Sequence, residues 1–421
     1  MKRTLFVLIA IILAGILSAN PMNDIDNWAS GQTHPFAADD VVTFMNGRAE
    51  GDIAFGSEYV FNSAGTYSGT ATTLDATHFV VAYYDGGNSS YGTAIVGTVS
   101  GNTISYGAEY VFNAAITYEL SATTLDATHF VVTYRDNGNF DYGTAIVGTV
   151  SGGNTISYGA EYVFNSGTTY GTSSVTLDAA HFVVTYRDAG NSYYGTAIVG
   201  TVSGGDIISY GAEYVFNNAN TYYNSAATLD AAHFVVAYAD GGNSFYSTAI
   251  VGTVSGSTIT YGAEYVFNDA YSNGYSTTTL DATHFVVVYA DNGNGDYGTA
   301  VVGTVSGGDI ISYGAEYVFK SSSTSAVSAT TLDNTRFVVA YYRFSCYAKV
   351  GTVSGNTITY GTEFLFNSGT TNVCSATTLD ADLFVISYRD DSHSSYGTAI
   401  VGEIEGEPPT PVVLSHLQCR L

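Results

Sequence analysis

The chain has 421 residues, of which 46% are hydrophobic and only 11% are charged, and it carries 47 glycines and 36 tyrosines. Because an average soluble domain is roughly one quarter charged, this composition excludes a disordered chain, a coiled coil and a helical bundle. The formal charge of −26 makes nucleic acid and anionic membrane surfaces poor partners.

The N-terminus has the pattern of a secretory signal peptide. Lys2 and Arg3 precede an apolar run over residues 5–17, and Ala19 follows as a small residue at a cleavage site. We expect residues 1–19 to be removed, which takes away two cations and leaves a secreted or cell-surface protein of charge −28. An uncleaved membrane anchor is the alternative. No later window is apolar enough for membrane insertion after signal cleavage.

An internal repeat of about 51 residues fills residues 49–405. A Leu-Asp pair recurs seven times at steps of 51, 52, 52, 51, 52 and 47 residues, with its aspartate at positions 75, 126, 178, 230, 281, 333 and 380. A fixed period of this length without helical periodicity is typical of β-propeller blades, since the turns of a β-helix are much shorter. An N-terminal segment at 20–48 precedes the repeats, and a linker-like tail at 406–421 follows them, with an end whose register suggests truncation.

The sequence pattern of each repeat predicts four β-strands, as the second repeat illustrates. Small and β-branched residues at 121–125 form strand A, and residues 130–134 form strand B, which is apolar on both faces as in a strand between two sheets. Residues 143–150 form strand C. Residues 156–164 alternate apolar and polar side chains, as in an outermost strand D. The strands thus change from small side chains in A, through apolar side chains in B, to alternating side chains in D. This order is typical of a blade whose inner strand lies near a narrow axis.

The order of the strands predicts how the array closes. The series begins with a lone strand D at residues 49–62 and ends with strands A, B and C at 375–405. We therefore expect the N-terminal strand to pair in the last blade, which removes exposed sheet edges. The sequence predicts an all-β fold, a monomeric seven-bladed β-propeller of four-stranded blades.

The recurring Leu-Asp-Ala-Thr-His-Phe-Val-Val sequence, seen at residues 125–132, and its period resemble those of bacterial secreted seven-bladed β-propellers. The resemblance covers about 357 of the 421 residues. It implies an extracytoplasmic protein but no particular activity, because neither the WD40 dipeptide nor the kelch double glycine is the hallmark of this repeat.

Two polar positions recur with the repeat. In five repeats a histidine lies three residues after the Leu-Asp aspartate, and a catalytic pair or a metal ring is one interpretation of this spacing. We favour a turn in which the aspartate caps backbone amides, because active sites seldom occur five times in one chain. The glutamate of each strand D likewise predicts a solvated outer face. The histidines are His78, His129, His181, His233 and His284.

The loops between strands B and C supply the candidate ligand-binding residues. Binding sites favour loops that a rigid scaffold carries, and five of these loops read Asp-x-Gly-Asn close to a tyrosine. The alternative is that these Asp, Gly and Asn residues only form tight turns. The predicted contacts are Asp85, Asn88, Asp136, Asn139, Asp188, Asn191, Asp240, Asn243, Asp291 and Asn294.

One of these loops also suggests a metal. Asp291, Asn294 and Asp296 carry oxygens at the alternating spacing that Ca²⁺ prefers. The loop lacks the glycine and bidentate glutamate of an EF-hand. The alternative is again that these Asp and Asn side chains only stabilise the turn. We predict no other cofactor.

The sixth repeat departs from the other six. Its B–C loop is four residues shorter, and Lys320 and Arg336 replace the usual asparagine and histidine. Arg343 and Lys349 in this repeat are further candidate ligand-binding residues, since their charge suits an anionic group. An internal carboxylate, or drift in one member of a tolerant array, would explain the same residues.

Three classes of function are compatible with the sequence. We predict a non-catalytic binding module that recognises a glycan or an extracellular protein through one rim of loops, with tyrosine rings stacking on sugars and Asp and Asn bonding to hydroxyls. A structural spacer is the first alternative. A polysaccharide hydrolase or lyase is the second, although an enzyme needs a unique constellation and most polar residues here have counterparts one repeat away.

Overall fold

The computed structural model describes residues 51–405, which fall within one compact unit. The predicted signal peptide, the segment at 20–48 and the tail at 406–421 lie outside these residues. Within the described range most residues lie in β-strands, and no helix there is long and apolar enough to cross a bilayer.

The antiparallel strands of residues 51–405 form three hydrogen-bonded sheets of 19, 4 and 5 strands, because some long strands pair on both sides. The strand pairings divide these sheets into seven groups of successive strands. The first three groups contain β1 (Ile53–Thr73), β2 (His78–Asp85), β3 (Tyr91–Ser100), β4 (Thr103–Tyr106), β5 (Tyr110–Thr124), β6 (His129–Asp136), β7 (Tyr142–Ser151), β8 (Thr155–Tyr158), β9 (Tyr162–Thr176), β10 (His181–Asp188), β11 (Tyr194–Ser203) and β12 (Ile207–Asp230). The next two contain β13 (His233–Asp240), β14 (Tyr246–Ser255), β15 (Thr258–Tyr261), β16 (Tyr265–Asn268), β17 (Ser272–Thr279), β18 (His284–Asp291), β19 (Tyr297–Ser306) and β20 (Ile310–Ser323).

The last two groups contain β21 (Ser325–Thr331), β22 (Arg336–Arg343), β23 (Ser345–Ser354), β24 (Thr357–Tyr360), β25 (Phe364–Asn367), β26 (Thr371–Asp380), β27 (Leu383–Asp390) and β28 (Tyr396–Ile404). Four B–C loops form one turn of 3₁₀ helix, at Asn137–Asn139, Ala189–Asn191, Asn292–Asn294 and Asp391–His393.

The second group confirms the predicted order of strands A, B, C and D. The end of β5 pairs with β6, β6 pairs with β7 along its whole length, and β7 pairs with β8 and β9. Strand D differs from the prediction because it is interrupted between β8 and β9. At this break Gly159 lies so close to the next group that an added Cβ would be 2.7 Å from the Cβ of Asp206. The equivalent glycines of β12 and β20 are as close to the next turn, but their strands are continuous, so the close approach alone does not cause the break.

The first strand belongs to two groups. Its first half pairs antiparallel with β28, with Ile53 opposite Ile404 and Tyr59 opposite Ala399. Its second half pairs with β2. The N-terminal strand therefore lies beside the last strand of the repeats, as the offset of the repeats predicts.

Serine hydroxyls link the A strands of successive groups. Ser121 Oγ accepts a hydrogen bond of 2.9 Å from the backbone N–H of Ser174. This link explains the small polar residues of strand A, because a larger side chain would hold neighbouring backbones apart. Five further links join Ser173 to Ala226, Ser225 to Thr277, Ser276 to Ala329, Ser328 to Ala376 and Ser375 to Ala71. The last of them connects the seventh group with the first.

The hydrophobic cores lie between successive groups, so strand B is buried on both faces. Val80 packs into a core with Phe130 of the second group, whereas its neighbour Val81 packs into a core with Val385 of the seventh group. Alternate residues of one strand thus face two different sheets. This arrangement accounts for the unbroken apolar sequence of strand B.

The glutamates of strand D are more than a solvated face. Glu161 is exposed, but its carboxylate accepts a hydrogen bond of 2.7 Å from the hydroxyl of Tyr134, a buried residue of strand B. Burial and the nearby Glu161 raise the pKa of Tyr134, so the hydroxyl remains a donor. The same bond joins Tyr83 to Glu109, Tyr186 to Glu213, Tyr238 to Glu264, Tyr289 to Glu316, Tyr341 to Glu363 and Tyr388 to Glu58.

Candidate functional site

Each group has two ends with different loops. The B–C loop and the link from strand D to strand A meet at one end, where the N–H of Gly86 bonds to the carbonyl of Gly65 at 2.7 Å. We call this the loop end. The A–B and C–D turns meet at the other, the turn end, where the N–H of Val99 bonds to the carbonyl of Thr77 at 2.8 Å. All the predicted Asp and Asn contacts lie at the loop end.

The predicted loop aspartates are buried and hold the loops in place. Asp136 is only 5% exposed, and its Oδ1 accepts hydrogen bonds from the N–H of Gly138 at 2.9 Å and from Nδ2 of Asn113 at 3.0 Å. Asn113 also donates to Oγ1 of Thr117 at 3.1 Å. The same Asn-Asp bond supports Asp85, Asp188, Asp240 and Asp291.

The asparagines that end these loops are placed differently. Asn88, Asn191, Asn243 and Asn294 are exposed and Asn139 is half-buried. Their side-chain amides form no hydrogen bond with other residues of the described chain. They are therefore the members of the predicted set that a ligand would meet first.

The candidate calcium residues are engaged in internal contacts. Asp291 accepts from the N–H of Gly293 at 3.0 Å, and Asp296 accepts from Nδ2 of Asn292 at 2.9 Å. Among the residues that the structure describes, no three His, Cys, Asp or Glu side chains are grouped so that they could hold a metal. Calcium at Asp291, Asn294 and Asp296 stays a prediction.

The repeated Asp-His pairs lie at the turn end and cap the A–B turns, as predicted. Asp75 Oδ1 accepts from the backbone N–H groups of Thr77 at 2.7 Å and of His78 at 2.8 Å, and the His78 ring contacts the same carboxylate. Although partial burial raises the pKa of Asp75, the hydrogen bonds from Thr77 and His78 lower it to about 2. The carboxylate thus acts as an ionised cap.

A row of aromatic and arginine side chains crosses the loop end, and the sequence analysis missed it. We call it the aromatic–arginine belt. The Arg135 guanidinium lies 4.6 Å from the ring centre of Tyr118 and 4.9 Å from that of Tyr170, which belongs to the next group. Arg187 then lies 4.3 Å from Tyr193 and 4.1 Å from Tyr222. The belt comprises Tyr67, Tyr84, Tyr118, Arg135, Tyr170, Arg187, Tyr193, Tyr222, Tyr223, Phe245, Tyr271 and Arg389.

Ring contacts continue the belt on both sides of the arginines. Tyr84 lies 5.1 Å from Tyr67 and 6.0 Å from Tyr118, and Arg389 of the seventh group lies 4.8 Å from Tyr67. In the other direction Tyr223 lies 6.3 Å from Tyr271. The belt therefore runs from the seventh group through the first four to the link that enters the fifth.

The belt is both fixed and accessible. Arg187 donates two hydrogen bonds to Oδ1 of Asn220, at 3.0 and 2.8 Å, and Arg389 pairs with Asp391 at 2.6 Å. Tyr67 and Tyr193 are each 41% exposed and Tyr223 is 46% exposed. Fixed arginines between partly exposed rings present planar faces on which a ligand can stack.

Two signals in the sequence point to the belt in retrospect. The residue before the loop aspartate is arginine at 135, 187 and 389, and a tyrosine follows the threonine that begins strand A at 67, 118, 170 and 222. The two positions are opposite each other in the A–B ladder, as Tyr84 and Tyr67 show. Only the pairing of the strands brings them together.

Most cations of the sixth group, and Lys320 at the end of the fifth group's strand D, have internal partners. Lys320 pairs with Glu363 at 2.7 Å, and the candidate ligand-binding residue Lys349 donates to the carbonyl of Phe319 at 2.8 Å. Arg336 pairs with Asp333 at 2.6 Å. Arg343 differs, because its guanidinium contacts only the ring of Phe344, at 5.2 Å.

The two described cysteines are free. Cys346 is buried in the sixth group, where burial raises the pKa of its thiol to about 12, and Cys374 lies in the seventh group. No disulfide bond joins Cys346 and Cys374.

Comparison with known proteins shows similarity at the level of structure. No protein-family profile matches the chain, and no curated protein matches it. A protein of unknown function from Dyadobacter fermentans DSM 18053 has a similar structure, with a TM-score of 0.50 and 14% identity over 84% of this chain and 99% of that one.

Two fungal structures are similar at lower scores. AofleA from Arthrobotrys oligospora has a TM-score of 0.49 and 11% identity over 75% of this chain and 90% of that one. The Aleuria aurantia lectin, described as a six-bladed β-propeller with a novel fucose recognition mode, has a TM-score of 0.45 and 12% identity over 72% of this chain and 97% of that one. At such identities the likeness to the Dyadobacter fermentans protein is one of fold, and the lower scores carry no argument about this chain.

Proposed function

We propose that residues 49–405 form a seven-bladed β-propeller whose last blade is completed by β1. Three features support this proposal: the seven antiparallel groups, the pairing of β1 with β28, and the cores that lie between successive groups. The serine link from Ser375 to Ala71 also supports it, because it gives the seventh A strand the same contact with the first that the second to sixth A strands make with their successors.

On this scaffold the protein acts as a non-catalytic glycan-binding module, secreted or held at the cell surface after removal of residues 1–19. The observation that carries this proposal is the aromatic–arginine belt. Sugars present flat apolar faces and a periphery of hydroxyls, so stacked tyrosines beside amides suit them. Asn88, Asn191 and Asn243 supply exposed amides at the same end, while the buried aspartates keep these loops in shape.

Repetition of the belt over successive groups favours an extended or multivalent ligand. Neighbouring tyrosines could engage several sugar units of one chain, and linked weak contacts raise the overall affinity without any strong single site. The charge of −26 further favours neutral stretches of glycan over nucleic acid, because polyanions are repelled over distances of about a Debye length.

Glycan-array binding with matched variants tests this function. The Tyr193→Ala, Tyr223→Ala double variant should lose roughly tenfold or more in affinity for the glycan that the native chain binds, because stacking on two half-exposed rings is removed. Ile310→Ala is the control, since Ile310 is 51% exposed at the turn end. A folded protein that binds no glycan on a broad array, or equal losses in both variants, would reject the proposal.

A further inference from the structure

We infer that the sixth group carries a separate site for the carboxylate of an acidic sugar, such as a uronic acid, at Arg343. The inference rests on the proposed glycan-binding function and specifies one class of ligand for it. It is carried by three observations: an arginine without a polar partner, an exposed aromatic ring beside it, and a depression that both residues line.

Arg343 is a cation in a position that other groups give to an anion. It ends strand B where the equivalent residues are Asp85, Asp136, Asp188, Asp240, Asp291 and Asp390. Each cation of residues 51–405 other than Arg343 has a polar partner, for example Asn220 for Arg187 and Glu363 for Lys320. Arginine presents a planar fork of donors that matches a carboxylate with two parallel hydrogen bonds. Its guanidinium is therefore available for an external anion.

Phe344 forms the tip of the hairpin beside this arginine. Arg343 pairs with Ser345 across the tip, and Phe344 has φ of 60° and is 74% exposed. The left-handed conformation is shared by residues of the other B–C loops, such as Phe140 and Tyr193, so it belongs to the hairpin and does not mark this site. The exposed ring offers a face on which the apolar side of a sugar can stack.

A depression of about 170 Å³ separates these groups from the start of strand A. Ser323, Ser325, Tyr342, Arg343 and Phe344 line it. Its volume equals that of about five or six water molecules, which is room for part of a sugar ring. The two serines supply hydroxyl donors and acceptors beside the cation. The site thus combines a charge for the carboxylate, a ring for the sugar face and hydroxyls for its periphery.

The aromatic–arginine belt is interrupted in the fifth and sixth groups, where Asn273 is opposite Ala290 in the A–B ladder of the fifth. Tyr342 is opposite Ser325 in the A–B ladder, in the place where Tyr84 is opposite Tyr67 in the first group. The stacking pair of the belt is therefore replaced here by an aromatic residue facing a small hydroxyl, which leaves the depression open. Arg343 therefore lies in the gap of the belt, at the same loop end of the molecule.

Titration of the full chain with methyl β-glucuronide and methyl β-glucoside, followed by ligand-observed NMR, tests the site. The native chain should bind the glucuronide roughly tenfold or more tightly than the glucoside, because a bidentate charged contact is lost with the carboxylate. Arg343→Gln should abolish this preference and leave glucoside binding unchanged, and Arg343→Lys should restore only part of it. Arg336→Gln, which removes a charge at the turn end of the same group, should keep the preference.

The outcomes separate this inference from the proposed function. Equal binding of the two sugars, or a preference that persists in Arg343→Gln with an unchanged melting temperature, would overturn the acidic-sugar site alone. Binding of a hexaglutamate peptide in place of the glucuronide would overturn it as well, because the site would then serve an acidic protein. A chain that binds neutral oligosaccharides on the array but does not bind glucuronide keeps the proposed function and loses this inference.

Discussion

An asparagine donor supports five of the six buried loop aspartates, whereas Asp390 is 2% exposed and accepts from the backbone N–H of Ser392. In five groups the asparagine of strand D lies 23 residues before the aspartate and donates to it, as Asn113 does to Asp136. At the junction of the fifth and sixth groups, Lys320 of the fifth group's strand D takes the asparagine position and Arg343 of the sixth group takes the aspartate position. Turn chemistry of the aspartates was predictable from the Asp-x-Gly-Asn pattern. Their burial was not, because it depends on a partner that only the folded sheet brings close.

Removal of the Asn113 side-chain amide should destabilise the folded chain. We expect Asn113→Ala to lower the free energy of unfolding by about 1 to 3 kcal/mol, because the buried Asp136 carboxylate loses one of its hydrogen bonds. Urea denaturation measures the loss. Asn139→Ala, at the exposed end of the same loop, should change stability by less than about 0.5 kcal/mol. Equal effects in the two variants would show that the carboxylate does not depend on Asn113.

At the scale of the strand, the sequence predicts where each strand lies, but it does not show why a particular residue is needed within it. The four strands of the second repeat lie close to their predicted ranges, since alternation and turn residues mark them. The glycine within strand C has no local explanation. An added Cβ on Gly148 would lie 2.3 Å from Cζ of Phe130, its partner across the ladder. The equivalent glycine and phenylalanine are paired in the other six groups.

A methyl group at this glycine should therefore disrupt the packing of the two strands. We expect Gly148→Ala to lower the free energy of unfolding by about 1 to 3 kcal/mol, because the Phe130 ring must leave its position in the core. Gly69→Ala is the control, since nothing lies within 4 Å of its added Cβ. Guanidinium denaturation compares them. A control that loses as much as Gly148→Ala would mean that backbone freedom, and not the ring, sets the cost.

At the scale of the whole molecule, the period of the repeat and its offset carry most of the information. The count of seven and the pairing of β1 with the last repeat follow from where the series begins and ends. The belt that crosses the loop end was not predictable in the same way, because most of its contacts join residues that are distant in sequence and several of them link different repeats. Arg135, for example, contacts a tyrosine of its own group and one of the next.

The proposed closure predicts that the contact between the seventh and first groups stabilises the fold as much as the contact between any other two successive groups. Phe61 of β1 is 7% exposed and lies 5.1 Å from Tyr83, and Phe112 of β5 is 5% exposed and lies 5.2 Å from Tyr134. Phe61→Ala and Phe112→Ala should each cost about 3 to 5 kcal/mol, because each empties a ring-sized space in a core. Thermal and urea unfolding measure both losses. If β1 detached readily from β28, Phe61→Ala would cost much less than Phe112→Ala, since its ring would already be exposed in part of the population.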